Sequence, residues 1–290
     1  MDKILFVINP VAGEGKGHQV IPKINNHFAK SEYDIIISPK KGIIEEIVRE
    51  KVSNIHYRSV IAVGGDGTLM ETLNGLIDYK GSVGIVPIGS GNDFAKTLGI
   101  AENINDALKI IDEGYTREIY SAWINGQRFL NVIGIGIDAM IIDYKERSKF
   151  LKGKFNYLVA TIKGILKYKA TQLNVTIDDK EYNFKPLFIA IGNGKYIGNG
   201  MKITPNADLT SERFGVCIVG DLKKSVLLRN ITNLYKGLHG DVDGVEFLKG
   251  RTIKIQFNEV RPVDIDGNLI NCKSVDIKKS DSKIKFLVKE

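Results

Sequence analysis

Cysteine is scarce in this chain: Cys217 and Cys272 are the only two in 290 residues. Two cannot build a disulfide framework, and both sit in strand-like surroundings, which predicts buried free thiols. Histidine is nearly as rare. His18, His27, His56 and His239 lack metal-ligand spacing and read as satisfied or exposed side chains. Long apolar runs are missing too. The longest stretch, Phe129 to Ile142, is broken by Asn131 and Asp138 and is too short and polar to span a bilayer. No secretory leader precedes the first strand, since Met1-Asp2 runs straight into it. These absences predict a cytoplasmic protein. There are no repeats, low-complexity tracts or flexible linkers, and no recognition module for nucleic acid. What is present is 43% apolar residues, enough for one large or two ordinary domains. The net charge of +7 fits a solvated lysine-rich surface or attraction to an anionic membrane or ligand.

Val63-Gly64-Gly65-Asp66-Gly67-Thr68 is the most informative segment. It follows the apolar run Ser59-Val60-Ile61-Ala62, which reads as a buried strand. It precedes Leu69, Leu73, Leu76 and Ile77, which line one helical face. The glycines allow a tight turn and leave no side chain in the way of a ligand. Thr68 and Glu71 make the T-x-x-E pattern of a capping box. Strand, glycine turn and helix N-terminus together form an anion cradle, with N–H groups and the positive end of the dipole facing out. Asp66 adds a carboxylate, which suits a cation beside the anion. A nucleotide polyphosphate is the predicted guest.

Two more glycine-rich turns follow strands. Lys3 to Ile8 runs into Asn9-Pro10-Val11-Ala12-Gly13-Glu14-Gly15-Lys16-Gly17, and Val83 to Pro87 runs into Ile88-Gly89-Ser90-Gly91-Asn92-Asp93. In an open parallel sheet such turns gather at the carboxyl edge, where ligands bind. None is a Walker A loop, because G-x-x-x-x-G-K-[ST] is absent.

The segments INPVAGEGKG, GGDGTLMETLNGL and PIGSGNDFAKTLG resemble the diacylglycerol kinase catalytic family, in its bacterial soluble lipid kinase branch. The resemblance continues through Asn131 to Asp138, Gly192 to Gly200 and Asp266-Gly267, so it covers nearly the whole chain. GGDG alone is shared with NAD kinases and phosphofructokinases.

Periodicity supports two styles of structure. Up to about residue 115 strands alternate with helices: a helix over Lys16 to Ala29, a strand over Tyr33 to Ser38, a helix face at Ile43, Ile44, Ile47 and Val48, and another at Ile104, Ala107, Leu108 and Ile111 closed by Gly114. That alternation predicts a doubly wound parallel sheet. Beyond it, Asn125-Gly126 marks a hairpin between 118–124 and 127–133. Leu173 to Ile177 and Tyr182 to Ile191 read as a second antiparallel pair, and strands follow at 215–219, 252–257 and 263–265. Helices interrupt them near Phe155 to Lys169 and Leu227 to Leu238.

The resemblance implies an α/β plus β architecture. An N-terminal doubly wound, NAD-kinase-like α/β domain would span 1–120. A C-terminal antiparallel β-sandwich, the lipid-acceptor domain, would span 121–279, with the nucleotide site in the cleft between them. The segment of about 280–290 would return to the first domain.

The resemblance also implies ATP and Mg2+ as cofactors and a lipid alcohol as substrate, diacylglycerol first. Asn9, Pro10, Gly13, Lys16, Ser38, Gly64, Gly65, Asp66, Gly67, Thr68, Glu71, Ser90, Asn92 and Asp93 would bind the nucleotide. Asp66 would orient its metal, and Lys16 would reach the terminal phosphate. Lys16 also reads as an ordinary helix-start lysine, and Ser38, Glu71, Asn92 and Asp93 also read as turn or capping residues. Asp266 is the expected base, placed to take the acceptor hydroxyl's proton. Asp266-Gly267-Asn268 also has the composition of a hairpin turn. The family reads Asp-Gly-Glu there, so Asn268 stands at the position of a carboxylate and cannot accept a proton at neutral pH. Asp264 shares a strand face with Asp266. Relatives carry Asp-Gly where Ser211-Glu212 stand, in a loop that holds a structural cation. Asp208 and Ser211 are the metal candidates there; Ser211 is a poor substitute for a carboxylate, and Asp208 with Glu212 could rebuild the site.

The segment 145–154 mixes lysines with Phe150 and Leu151 and precedes a helix carrying Lys163, Lys167 and Lys169. It predicts peripheral contact with anionic membrane, or else a solvated loop. Nucleic acid is not an expected partner, and a homodimer is compatible with the resemblance. The reading is a lipid kinase. NAD kinase is one alternative. A catalytically weak or regulatory nucleotide-binding homologue is the other.

Overall fold

A computed structural model describes residues 3–40, 42–100, 102–138, 140–142 and 153–290, with the backbone alone at 153–158. Of the basic segment 145–154, residues 145–152 and the Lys154 side chain lie outside the described residues. The chain forms two compact units, 1–119 with 283–290 and 120–282.

The first unit is built on parallel strands β1 (Lys3–Ile8), β2 (Tyr33–Ile37), β3 (Tyr57–Gly64) and β4 (Ser82–Pro87). Their order is β4-β3-β1-β2, and Val7 sits beside Ala62 on one side and Ile36 on the other. β1, β3 and β4 read as near-continuous apolar runs because both faces of a central parallel strand are covered. The helices supply the cover. Ile44–Asn54 buries Ile44 and Val48, and Ile104–Glu113 buries Ala107, Leu108, Ile110 and Ile111. The latter starts at Asn103, whose side chain accepts the Asn105 N–H at 2.9 Å. It stops at Gly114, where a φ of 74° suits glycine. The C-terminal segment adds a short parallel pairing, Lys285 with Ser82 and Phe286 with Val83. Phe286 is buried with its ring 5.4 Å from that of Phe94.

The helix expected from Lys16 begins at Val20. Gly13, Glu14 and Gly15 are left-handed and Lys16–Gln19 is a 3-10 turn, so an α-helix cannot start sooner. The capping box does not form either. The helix Asp66–Gly75 begins two residues before Thr68, and Glu71 instead accepts the Ile44 N–H of a neighbouring helix at 3.3 Å.

In the second unit the strands are antiparallel: β5 (Thr116–Ile124, from its Tyr120 onward), β6 (Gln127–Phe129), β7 (Val132–Gly136), β8 (Leu173–Ile177), β9 (Lys180–Phe184), β10 (Pro186–Gly192), β11 (Phe214–Gly220), β12 (Val245–Gly250), β13 (Thr252–Ile265) and β14 (Asn268–Leu287, as far as its Ser282). The path β12-β11-β10-β7-β13 forms its spine, with β8 and β9 added beside β13. Asn125 and Gly126 have φ of 49° and 82°, the two left-handed residues of a tight hairpin. The second expected pair is divided. β9 ends at Phe184, and the fully buried β10 leaves it to lie between β7 and β11. The segments 252–257 and 263–265 are one strand with a register shift between Gln256 and Arg261. Helices cover Gly153–Lys167, Lys224–Arg229 and Ile231–Lys236. Cys217 is a buried thiol as expected, whereas Cys272 is only half-buried.

Candidate functional site

In the first unit the three glycine turns interlock at the carboxyl ends of β1, β3 and β4. The Asn9 side-chain amide donates to Thr68 Oγ1 at 3.0 Å, and Asn9 Oδ1 accepts the Val11 N–H at 3.2 Å. A Cβ on Gly13 would overlap the Ile88 carbonyl oxygen, and one on Gly89 would overlap Gly65. Asp66 completes the lock. Its Oδ2 accepts the Asp93 N–H and its Oδ1 the Phe94 N–H, both at 3.1 Å. Asn92 is left-handed, with φ of 52°, and the helix Asp93–Leu98 follows it. That pairing of backbone conformations turns successive N–H groups toward one acceptor. Burial pushes the Asp66 carboxyl up, while the Phe94 and Asp93 N–H groups and the Lys96 charge oppose the rise.

Asp66 thus caps the helix that Asn92 and Asp93 were expected to cap. The Asn92 amide holds the turn before it, donating to the Gly89 carbonyl at 2.8 Å, and Asp93 faces Lys96 at 3.4 Å. Ser38 is a turn residue: it is buried, and its hydroxyl donates to the Lys40 carbonyl at 2.7 Å. Lys16 and Ser90 are exposed, and Pro10 is half-buried. Gly64 is held by packing, because a Cβ there would overlap Thr68. Gly67 is different. It is exposed at the helix start, and a Cβ there would meet nothing within 4 Å. The protein's own packing does not require glycine at 67, whereas close approach of a ligand would.

In the second unit Asp266 is a hub. Its Oδ2 accepts the Leu130 N–H at 2.6 Å, and its Oδ1 accepts those of Asn131 and Val132 at 2.9 Å each. The other side of that loop is held by Asn193. Its backbone N–H donates to the Asn131 carbonyl at 2.8 Å and its side-chain amide to the Leu130 carbonyl at 2.9 Å. Three separate sequence motifs therefore meet on residues 130–132. Asp266 and Gly267, with φ of 50° and 87°, also form a two-residue hairpin that pairs Ile265 with Asn268. Asn268 itself is exposed.

Asp264 does not share Asp266's role. It is buried, accepts the Gly267 N–H at 2.8 Å and hydrogen-bonds the equally buried Asp138. Burial pushes the Asp264 carboxyl well up, and the Asp138 charge and hydrogen bond add to it. Two carboxyl groups so placed share a proton. Asp138 also lines an apolar pocket, with Ile137, Ile141, Ile165, Leu187 and Leu227 among its walls. The pocket holds about 730 Å³ of space, part of it open to solvent.

The Asp208 loop is held by its own hydrogen bonds. Asp208 accepts the Thr210 N–H at 2.9 Å, Ser211 Oγ accepts the Arg213 N–H at 3.0 Å, and Glu212 is taken by Tyr120 and Arg251. Among the described residues no three acidic, histidine or cysteine side chains gather in a metal-binding group. A buried protein cation feels the Asp208 charge. Lys279 is buried, donates to Asn193 Oδ1 and lies 5.0 Å from the centre of the Phe214 ring. Burial pushes its ammonium down to about 8, opposed by the Asp208 charge. Sequence reading missed Lys279, because the alternation of its strand also holds exposed lysines such as Lys278 and Lys283.

Residues 3–124 match the diacylglycerol kinase catalytic domain, and residues 131–282 match the YegS C-terminal NAD kinase beta sandwich-like domain. The chain belongs to this family of bacterial lipid kinases. Among its relatives is a diacylglycerol kinase of Bacillus subtilis (strain 168), 27% identical over 92% of this chain and 90% of the relative. A putative lipid kinase of Staphylococcus aureus (strain MSSA476) is 30% identical over 87% and 85%. The crystal structure of a putative diacylglycerol kinase from Bacillus anthracis str. Sterne superposes with a TM-score of 0.82 at 26% identity, covering 99% of this chain and 97% of the other.

Proposed function

We propose that this chain transfers the γ-phosphoryl group of ATP to a lipid hydroxyl, with diacylglycerol as the leading acceptor. The observation that carries the reading is the junction of three glycine turns around an open helix start at Gly67. Such a start favours an anion through its N–H groups and dipole. Magnesium bound with the nucleotide would neutralise phosphate charge during in-line transfer. The Asp66 carboxylate fits a place beside that ion, since Oδ2 accepts the Asp93 N–H and Oδ1 the Phe94 N–H, and a carboxylate oxygen has a second lone pair. The apolar pocket of the second unit supports a lipid acceptor over NAD, because its walls suit an acyl chain. We assign proton acceptance to Asp266 through Oδ2, the oxygen that takes one loop N–H where Oδ1 takes two.

A second reading, a nucleotide-binding homologue with weak or no turnover, is favoured by one observation. Asn268, at the position where the resemblance places a glutamate, is exposed and offers no carboxylate. Labelled ATP offered with a panel of lipids and with NAD separates the readings. Label in a lipid supports the kinase, label in NAD supports the alternative nucleotide acceptor, and ATP binding without transfer supports the regulatory homologue.

A further inference from the structure

Asp264 and Asp138 are two acids buried against each other, and the transfer chemistry uses neither. They are 1% and 2% exposed. Their meeting depends on Gly134, which stands opposite Asp264 in the pairing of β7 with β13 and opposite Ala190 on its other side. A Cβ on Gly134 would overlap Asp138 Oδ2, so the missing side chain lets the Asp138 carboxyl lie against the strand beside Asp264. Two charges buried together repel, and one proton held between them relieves the repulsion.

Asp264 also holds the hairpin that carries Asp266. Its Oδ1 accepts the Gly267 N–H at 2.8 Å. Asp266 is left-handed, with φ of 50°, a conformation that a non-glycine residue keeps only with support. From that tip Asp266 accepts the N–H groups of Leu130, Asn131 and Val132. One chain of contacts therefore runs from the wall of the apolar pocket, where Asp138 lies, to the carboxylate assigned as base.

We propose that Asp264 is a positioning residue for the transfer: sharing one proton with Asp138, it fixes the hairpin tip so that the Asp266 carboxylate stays aimed. The proposal rests on the lipid-kinase reading, which gives Asp266 its task. Burial, Asp138 and Asp266 all push the Asp264 carboxyl up against the pull of the Gly267 N–H, so the proton leaves only well above the usual carboxylate range. Its loss leaves two charges in contact beside that of Asp266 and loosens the tip. The pocket wall around Asp138 also holds His239, pushed down by burial, and Thr161 and Ile165 of the helix Gly153–Lys167, which do not ionise. Lys279, at about 8, acts on the other side of the 130–132 loop through Asn193.

The test compares Asp264→Asn with Asp264→Val. The amide can accept the Gly267 N–H and donate to Asp138 at every pH, whereas valine suits a buried strand and does neither. Asp264→Val should lower kcat about 10- to 100-fold with KM for ATP and lipid nearly unchanged, and Asp264→Asn should recover most of that loss. Wild-type kcat should fall as pH rises through the range in which the pair loses its proton, and that fall should be missing from Asp264→Asn. Lys279 is common to both proteins, so the difference between their profiles belongs to the pair. Amide hydrogen exchange at 130–132, followed without substrate, should quicken about fivefold in Asp264→Val and stay at the wild-type rate in Asp264→Asn. Superimposable pH profiles for wild type and Asp264→Asn, or full turnover in Asp264→Val, would overturn the proposal and leave the kinase reading standing. The expected exchange rates in a wild type that phosphorylates no lipid would uphold Asp264 as the anchor of the tip and overturn the kinase reading.

Discussion

Asp66 and Phe94, 28 positions apart, are joined by one hydrogen bond at 3.1 Å from the Phe94 N–H to Asp66 Oδ1. The second glycine turn thereby caps the helix that follows the third. Asp66→Ala removes both cap bonds and should lower stability by about 1–2 kcal/mol. Urea denaturation should show it as a lower midpoint. Nucleotide affinity should fall with it, because the turn carrying Ser90 and Asn92 loses its anchor. An unchanged midpoint would mean that the cap contributes nothing.

Gly89 and Gly67 separate packing from ligand approach. A Cβ on Gly89 would lie 2.5 Å from Gly65 Cα, so Gly89→Ala should disturb folding, whereas one on Gly65 would lie 3.2 Å from Gly89 Cα and asks the turn to give by only a few tenths of an ångström. A Cβ on Gly67 has open space, so Gly67→Ala should fold normally and gain up to about 1 kcal/mol of helix propensity. It should nonetheless bind ATP more weakly. Calorimetric titration on both variants, beside their denaturation curves, checks the split. Wild-type ATP affinity in Gly67→Ala would remove the cradle.

Lys279 makes a prediction about pH. Its ammonium falls from 10.5 to about 8 on burial. Below pH 8 the folded and unfolded chains are both protonated there. Between about 8 and 10.5 only the unfolded chain holds the proton, so this group's contribution to stability rises with pH. The full rise is about 3 kcal/mol. Lys279→Met should abolish it, so the stability difference between wild type and variant should change across that window and stay flat below it. A constant difference would mean that Lys279 titrates normally.

Much of the first unit was legible because apolar runs and glycine turns are local signals. Val60 to Val63 could only be a buried strand, and Gly114 ended its helix as predicted. The capping box was misread because Thr68 and Glu71 bond partners distant in sequence, Asn9 and Ile44. Spacing within a helix cannot report such contacts. Asp266 was singled out, but its grip on the 130–132 loop spans more than 130 positions. The Asp138–Asp264 pair and Lys279 were not foreseen for the same reason. Each depends on segments far apart in sequence bringing a buried ionisable group beside a partner.

The most direct measurement is transfer of label from γ-labelled ATP to lipid by the wild type, Asp266→Asn and Asn268→Glu. The account predicts labelled lipid, foremost diacylglycerol, and no labelled NAD. Asp266→Asn should turn over about 100-fold more slowly with nearly unchanged ATP affinity. Its denaturation midpoint must be read beside the rate, since an amide in place of the carboxylate leaves a loop N–H poorly matched, at about 1–3 kcal/mol. Asn268→Glu should raise turnover by supplying the carboxylate that the resemblance places there. ATP bound by both the wild type and Asn268→Glu, with no label in any lipid, would contradict the account and leave the regulatory homologue in its place.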